Sequence, residues 1–404
     1  MISESVELKL IKPLVENQLK IEGVVIGAIA DRLKELKTLT PSDISRLEVL
    51  LRSGSDARKI NKKISQLTKL SEKEIKKIIK TVAKDSYLDA KPFYDYRNKS
   101  FIPFEQNVEL QKTVKAIENV TLKEYTRLSN ATAFMLRDLT NPSIVRPTKV
   151  SQLYNKIIDN AIQTALSGTD TYGQLIPNAI QQLVDSGIKT VEYTTEGGKK
   201  HYRRLDSVVK QNILDGIKAV RQEVQNITGE QFGANGVELS VHRYSAPDHE
   251  PVQGHQFTKE EFEKMQNGQS FEDVNGKQFE SFERPIGMWR CRHIAWNIII
   301  GHKTPNYTNE QLEELKTKNA NGITVKDKTG NKVKKSMYWC TQKRNTYELQ
   351  IRQLKEGLAA AEKIEHTDII QKYNNKLNKK INEYRYFCNQ CGLKTRFENT
   401  RIFV

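Results

Sequence analysis

The hydrophobic periodicity of this 404-residue chain changes twice, and this constrains its fold more than any other feature. Up to about residue 236, apolar residues recur at the spacing of three and four that indicates amphipathic helices. From Val237 to Lys335, short alternating runs surround turn signals such as Asn275-Gly276, which indicate β-hairpins. Helical spacing returns near Ser336. The pattern predicts an α+β fold that is predominantly α-helical.

Four regions are expected along the chain. Residues 1–100 form a helical N-terminal domain, whose exposed amphipathic helices suit docking on an oligomeric partner. Residues 101–235 form a helical middle region with one hairpin around Gly197-Gly198. A small α/β module follows at 236–325, and residues 326–404 supply a hairpin, a long basic helix and a tail.

Local signals predict several helix boundaries. Thr40 is placed as a helix cap, and Ser71 with Glu74 matches the capping box that starts a helix. The pattern indicates short helices joined by tight turns in this part of the chain. It is compatible with helix-turn-helix DNA binding by the Lys73–Lys84 helix, and equally with a small domain in which such helices only pack together. Further along, helical spacing covers about Val108–Leu136.

The net charge favours contact with a polyanion. The chain carries 65 basic and 49 acidic side chains, which give a formal charge of +16. The excess is concentrated in Arg52–Lys84 and Asn331–Val404, whereas acids outnumber bases in Glu238–Arg290. Such an excess suits nucleic acid as a partner, and solvated helix faces are the competing interpretation.

The C-terminal basic residues are the predicted contacts for double-stranded DNA or another acidic surface. Tyr373, Tyr384 and Tyr386 interleave with them, while acids such as Glu356 and Asp368 interrupt them and are able to pair along a helix. The predicted nucleic-acid-binding set is Lys332, Lys334, Lys335, Lys343, Arg344, Lys372, Lys376, Lys379 and Lys380.

The stretch VHRYSAPDHEPVQGHQ at Val241–Gln256 contains three of the seven histidines. Pro247 and Pro251 break the segment, so His242, His249 and His255 cannot share one helical face as paired metal ligands would. Local hydrogen bonding is therefore the favoured interpretation.

A zinc site is the alternative for this stretch. It requires distant partners, and the candidate ligands are drawn from His242, His249, His255, Cys291 and His293. The leading set among them is His249, Cys291 and His293. Asp248 or Glu250 would then act as the base of a metal-dependent nuclease or hydrolase.

No other motif points to catalysis. The Cys388–Cys391 pair lacks a second CxxC, so buried free thiols are favoured there over zinc or redox chemistry. The sequence contains no glycine-rich phosphate loop, no GxSxG and no HExxH. We therefore predict that the protein is not an enzyme, has no catalytic residues and needs no cofactor.

The longest apolar runs do not suit a membrane protein. Gly23–Ala30 and Asn297–Gly301 are too short to span a bilayer, and the N-terminal sequence does not resemble a signal peptide. Four cysteines in so long a chain do not make a disulfide framework. No membrane partner is expected, and a cytoplasm is the expected site of synthesis.

The order of several segments resembles the phage minor capsid protein 2 family, which is related to Mu F-like head-morphogenesis proteins. The segments include SGTDTYGQLIPNAIQQLVDSGIKTVEY, VELSVHRYSAPDHEPVQGHQF, RPIGMWRCRH and MYWCTQKRNTYELQIRQLKEGLAAAE. The most specific matches are a histidine, a proline, a second histidine, a QG pair and a CRH triplet. These are His242, Pro247, His249, Gln253, Gly254, Cys291, Arg292 and His293.

The resemblance implies a structural role in a tailed bacteriophage. A member of this family is expected in the virion, in multiple copies, in the capsid interior or at the portal vertex, after assembly in the host cytoplasm. Its expected partners are the portal protein, which the 1–100 region would dock on, and the major capsid protein. It would support head assembly and DNA packaging or release.

Overall fold

The chain folds into helices and small antiparallel sheets in a computed structural model. The structure describes residues 4–38, 55–130, 132–137, 145–149, 187–194, 198–282, 284–287, 291–326 and 329–404, with isolated positions between 152 and 184. These residues are mostly helical, which confirms the predicted fold class. The predicted cap at Thr40 lies outside the described residues.

Two compact units make up the chain, and each is assembled from three segments of sequence. The first unit falls within Met1–Ile11, Ile75–Leu122 and Gln211–Lys343. The second falls within Lys12–Glu74, Lys123–Lys210 and Arg344–Val404.

Long helices dominate the N-terminal part. Helix α1 spans Glu4–Thr38, α2 spans Ser55–Leu88, the short α3 spans Lys91–Tyr96, and α4 spans Val108–Asn130 after a 3-10 turn at Phe104–Gln106. Apolar residues at helical spacing make their buried faces, as in α1 at Val25, Ile26, Ile29 and Leu33.

The predicted helix start at Ser71 is wrong, because Ser71 lies inside α2. Its hydroxyl donates to the carbonyl oxygen of Leu67 at 3.1 Å, one turn back, and accepts from the amide of Asn17. A serine hydroxyl bonds well to the backbone in either setting, so the local sequence does not separate the two. Since α2 continues without a turn through Lys73–Lys84, the helix-turn-helix interpretation loses its structural basis.

A four-stranded antiparallel sheet lies in the second unit, in the order β2-β1-β3-β4. Its strands are β1 (Thr132–Arg137), β2 (Val145–Lys149), β3 (Lys189–Thr194) and β4 (Lys200–Arg204). The β3–β4 pair is the predicted hairpin. The predicted helix through Leu136 is wrong beyond Asn130, because the backbone of β1 pairs with β2 and β3 instead.

Helix α5 (Leu205–Phe232) leads into a three-stranded antiparallel sheet in the first unit, ordered β6-β5-β9. These strands are β5 (Gly236–Leu239), β6 (Gln256–Thr258) and β9 (Ala295–Ile298). An apolar core covers this sheet and consists of Val237, Leu239, Val252, Phe257, Met265, Phe271, Phe279, Ile286 and Ala295.

The remaining hairpins of the first unit follow the turn signals of the sequence. Strands β7 (Phe271–Glu272) and β8 (Gln278–Phe279) pair across a turn in which Gly276 has φ of 81°, and β10 (Ile323–Lys326) pairs with β11 (Lys332–Lys335). Helix α6 (Lys259–Gln266) precedes the first of these hairpins, and helix α7 (Asn309–Ala320) precedes the second. Both predicted hairpins are confirmed.

The predicted C-terminal helix is present as two helices, α8 (Met337–Ile364) and α9 (Thr367–Gln390). Glu365 has φ of 57°, a left-handed conformation that interrupts the helical hydrogen bonding and redirects the chain. Cys388 and Cys391 are both buried, and neither forms a disulfide. Among the helices described, none combines the length and the apolar character needed to cross a bilayer.

Candidate functional site

A histidine- and cysteine-containing cluster lies at one end of the three-stranded sheet in the first unit. Strands β5 and β9 are antiparallel neighbours, with Leu239 opposite Ala295. The chain leaving β5 and the chain entering β9 therefore meet at the same end of the sheet. This pairing brings His249 to Cys291 and His293, although they lie far apart in the sequence.

The three side chains form a compact buried group. Exposed fractions are 1% for His249, 3% for Cys291 and 4% for His293. Nδ1 of His293 lies 3.6 Å from Sγ of Cys291, and one ligand atom from each of the three residues lies within 4.8 Å of the others. Residues two apart in an extended segment face the same way, so Arg292 between them is exposed.

Each ring of the cluster is oriented by an oxygen acceptor. Nε2 of His249 lies 2.6 Å from the carbonyl oxygen of Arg284, so this nitrogen carries the hydrogen. Nε2 of His293 lies 3.5 Å from Oε1 of Gln253, which also accepts from the backbone N–H of His242 at 2.9 Å. In both rings, Nδ1 is thus the nitrogen that retains a lone pair.

The cluster favours a deprotonated sulfur. Burial raises the pKa of the Cys291 thiol, but the imidazoles of His249 and His293 and the backbone of Gly287 outweigh it and lower the pKa to about 5. Burial opposes charge on His249, yet the neighbouring Cys291 raises the pKa of its ring. Burial lowers the pKa of His293. The thiolate is the form of cysteine that acts as nucleophile or metal ligand.

The other residues of the family motif shape the loop around the cluster. Pro247 is an exposed turn residue. Gly254 has φ of 78°, and a Cβ there would overlap Leu312, so the position requires glycine. His242 is half-buried; its Nε2 lies 3.1 Å from the carbonyl oxygen of Arg292, and its ring centroid lies 4.7 Å from that of His293.

The structure does not bring His255 into the cluster. Its Nδ1 lies 2.7 Å from Oδ2 of Asp273 in a separate buried pair. The two carboxylates considered as bases also have partners of their own. Both oxygens of Asp248 accept hydrogen bonds from Arg284, at 2.7 and 3.0 Å, and Oε1 of Glu250 accepts from Asn319 at 2.6 Å.

The orienting roles of Arg284 and Gln253 were not found in the sequence. Arg284 acts through its backbone carbonyl, which any residue supplies, so no side-chain signal marks it. Gln253 carried a signal as part of the QG pair, but only the approach of β9 to this loop shows that its amide oxygen faces His293.

The predicted nucleic-acid-binding residues fall in both units. Lys332, Lys334, Lys343, Lys372, Lys376 and Lys379 are exposed, whereas Lys335 and Lys380 are half-buried and lie over the rings of Trp339 and Tyr347. Two parts of the sequence interpretation need correction. Arg344 is half-buried and lies 3.8 Å from a Glu348 carboxylate oxygen, and Tyr373 and Tyr384 belong to the core, which leaves only Tyr386 exposed to stack on a base.

Comparison with known families places the chain in the class of bacteriophage structural proteins. The sequence profile of the phage minor capsid protein 2 family matches residues 8–389, and the chain belongs to that family. A search of curated proteins and of solved structures finds no significant match. Family membership confirms the resemblance carried by the histidine-containing loop and the CRH triplet, and it places the protein in the virion.

Proposed function

We propose that the protein occupies the portal vertex of the phage head, where it supports head assembly and the packaging or release of the genome. The observation that carries this proposal is the family match over residues 8–389. The portal protein and the major capsid protein are the proposed protein partners, with several copies of this chain in each virion. The exposed lysines of α9 and of the β10–β11 hairpin are the proposed contacts for packaged DNA.

Exposed apolar side chains support a docking role for the segment between residues 88 and 120 in the first unit. Val108 lines a shallow groove on α4 together with Lys112 and Lys115. Contiguous exposed apolar surface marks interaction sites on soluble proteins, and we propose that these side chains contribute to one. The exposed fractions in this segment are 47% for Leu88, 51% for Tyr96, 48% for Ile102, 65% for Val108 and 69% for Val120.

Deleting residues 1–100 is a poor test of docking, because α1 and α2 supply core residues of the fold. A surface substitution is sharper: Val108→Asp with Val120→Asp should leave the folded state intact while blocking incorporation into portal-containing heads. Tyr307→Asp, at a residue that is 38% exposed in the same unit, is the matched control. Mass spectrometry of heads from complemented phage measures incorporation. Normal incorporation of the double variant would refute the docking assignment.

The nuclease or hydrolase alternative needs a carboxylate that takes a proton from metal-bound water. The Arg284 guanidinium engages both oxygens of Asp248, and Asn319 engages Glu250. Burial alone would raise the pKa of Asp248, but the hydrogen bond with Arg284 lowers it, which makes this carboxylate a weaker base. These contacts favour a structural role for the cluster.

A further inference from the structure

We infer that His249, Cys291 and His293 bind a Zn²⁺ ion, which fastens the loop after β5 to the segment that enters β9. The inference is independent of where the protein lies in the virion. It rests on the placement of the three side chains, on the orientation of the two rings and on one buried nitrogen.

The separation of the ligand atoms suits a tetrahedral zinc site. Zinc binds thiolate at about 2.3 Å and imidazole at about 2.0–2.1 Å, so the S···N edge of a regular tetrahedron is roughly 3.6 Å. The Sγ of Cys291 and Nδ1 of His293 lie 3.6 Å apart. The ligand atom of His249 lies within 4.8 Å of both. Closing the site therefore needs a movement of only about 1 Å by that ring.

Both rings are held as metal-binding histidines usually are. A ligating histidine typically donates its second ring N–H to an oxygen, which fixes the tautomer and aims the other nitrogen at the metal. His249 donates from Nε2 to the carbonyl of Arg284, and His293 donates from Nε2 toward Gln253. Each ring therefore has Nδ1 available as the ligand atom.

The Nδ1 atom of His249 is the independent sign of a missing ligand. It is buried in a ring that is 1% exposed, and no oxygen or nitrogen lies within hydrogen-bond distance of it; the Cys291 sulfur is the neighbour that interacts with this ring. A buried polar atom without a partner costs free energy, and native proteins rarely retain one without a reason. A zinc ion bound by this nitrogen supplies the missing interaction.

The donor set selects the metal. One sulfur and two imidazole nitrogens suit Zn²⁺, whereas Mg²⁺ and Ca²⁺ prefer oxygen ligands. Zn²⁺ binds Cys291 as the thiolate and both imidazoles as neutral rings, and a proton held by the cluster is released to solvent as the bonds form. Three protein ligands leave a fourth position, which water fills in zinc sites of this kind.

Elemental analysis of the full-length protein, purified without a histidine tag, tests the inference. About one zinc per chain is expected for the wild type, since the three ligands form a single site. Cys291→Ser and His249→Gln should lose the metal. The matched control is Cys340→Ser, which changes another buried free cysteine of the same unit and should keep it.

A second measurement keeps the test decisive if the Cys291 variant fails to fold. The folded wild type is stripped with a chelator and then titrated with Zn²⁺ or Co²⁺ alone. Zn²⁺ should raise Tm, because a ligand that binds only the folded state stabilises it. Co²⁺ should produce a thiolate charge-transfer band. Wild-type protein with no zinc and no rise in Tm, or a folded Cys291→Ser protein that retains full zinc, would overturn the inference.

Discussion

The ring of His249 donates its Nε2 hydrogen to the carbonyl oxygen of Arg284 at 2.6 Å, so Nδ1 is the nitrogen left available to the cluster formed with Cys291 and His293. A backbone carbonyl thus decides which nitrogen of a buried histidine is available. The contact joins the loop after β5 to the segment before β9. The cluster is therefore a property of the folded module and not of either loop alone.

Gln253 is expected to raise the zinc affinity of the proposed site without contacting the metal. Gln253→Ala removes the acceptor that orients His293, and loss of such an orienting group typically weakens metal affinity by about 10–100-fold. Competition with a chromophoric chelator measures the change. Gln269→Ala, at an exposed glutamine of the same unit, should bind like the wild type. Equal affinity for the two variants would show that Gln253 does not position the ligand.

Asp206 is expected to be the most sensitive carboxylate of the second unit. Its oxygens pair with Arg352 at 2.6 Å and Arg204 at 3.4 Å, and both guanidiniums are buried. Asp206→Asn removes the ion-pair partner of Arg352 and leaves Arg204 paired with Glu22 at 2.8 Å. Breaking a buried pair by removing one partner typically costs about 3–5 kcal/mol of the free energy of unfolding. Denaturant titration measures the loss. Asp368→Asn, at an exposed residue of α9, should cost less than about 1 kcal/mol; similar losses for both would contradict the prediction.

Glu356 should make stability fall as pH rises. Burial raises its pKa, and the carboxylates of Glu22 and Asp206 raise it further, while Arg204 and Arg352 act in the opposite direction. A carboxyl with a raised pKa in the folded state binds its proton more tightly there than in the unfolded chain. Its stabilising contribution is complete at acid pH and is lost as pH passes through the folded-state pKa.

Glu356→Gln removes this proton linkage. The variant should therefore gain stability relative to the wild type as pH rises from about 5 to about 9, as measured by thermal unfolding at several pH values. The exposed Glu362→Gln is the control, for which the difference from wild type should stay constant. A Glu356→Gln difference that also stays constant would mean that Glu356 is already ionised in the folded protein.

Replacing Gly357 by alanine is expected to lower the stability of the protein, which is the opposite of the usual effect of replacing a helical glycine. Alanine normally stabilises a helix by about 0.5–1 kcal/mol relative to glycine. A Cβ at Gly357 would overlap the ring of Tyr373, so Gly357→Ala should destabilise by about 1–3 kcal/mol. The added Cβ of Gly27→Ala in α1 meets only the terminal amine of Lys363, at 3.2 Å, so this variant should be neutral or stabilising. A rise in Tm for both variants would contradict close packing between α8 and α9.

Three exposed lysines of α9 test the proposed DNA contact. Changing Lys372, Lys376 and Lys379 to glutamine should weaken binding to duplex DNA of any sequence. The slope of log affinity against log salt should fall by up to about 3, since each phosphate contact contributes about 0.9. Changing Lys316 and Lys318, which pair with Glu313 and Glu314, should have little effect. Salt-insensitive binding by the wild type would remove DNA from the proposed partners.

The sequence by itself determined those elements whose signals are local. Glycine turns at Gly198 and Gly276 place two hairpins, because a positive φ is readily adopted by glycine and the flanking residues alternate. The order of the motif-containing segments in the sequence also indicated the family. The capping box at Ser71 and the helix through Leu136 failed for the same reason: hydroxyl bonding and short apolar runs are compatible with two structures, and packing chooses between them.

Only the tertiary structure decided the arrangement of the cluster. The sequence named His249, Cys291 and His293 as a possible set, but their approach depends on the antiparallel pairing of β5 with β9. The sequence also did not show that Tyr373 and Tyr384 are buried while the lysines beside them are exposed. Local propensity acts between near neighbours in the chain, whereas burial and ligand geometry depend on contacts between segments that the fold brings together.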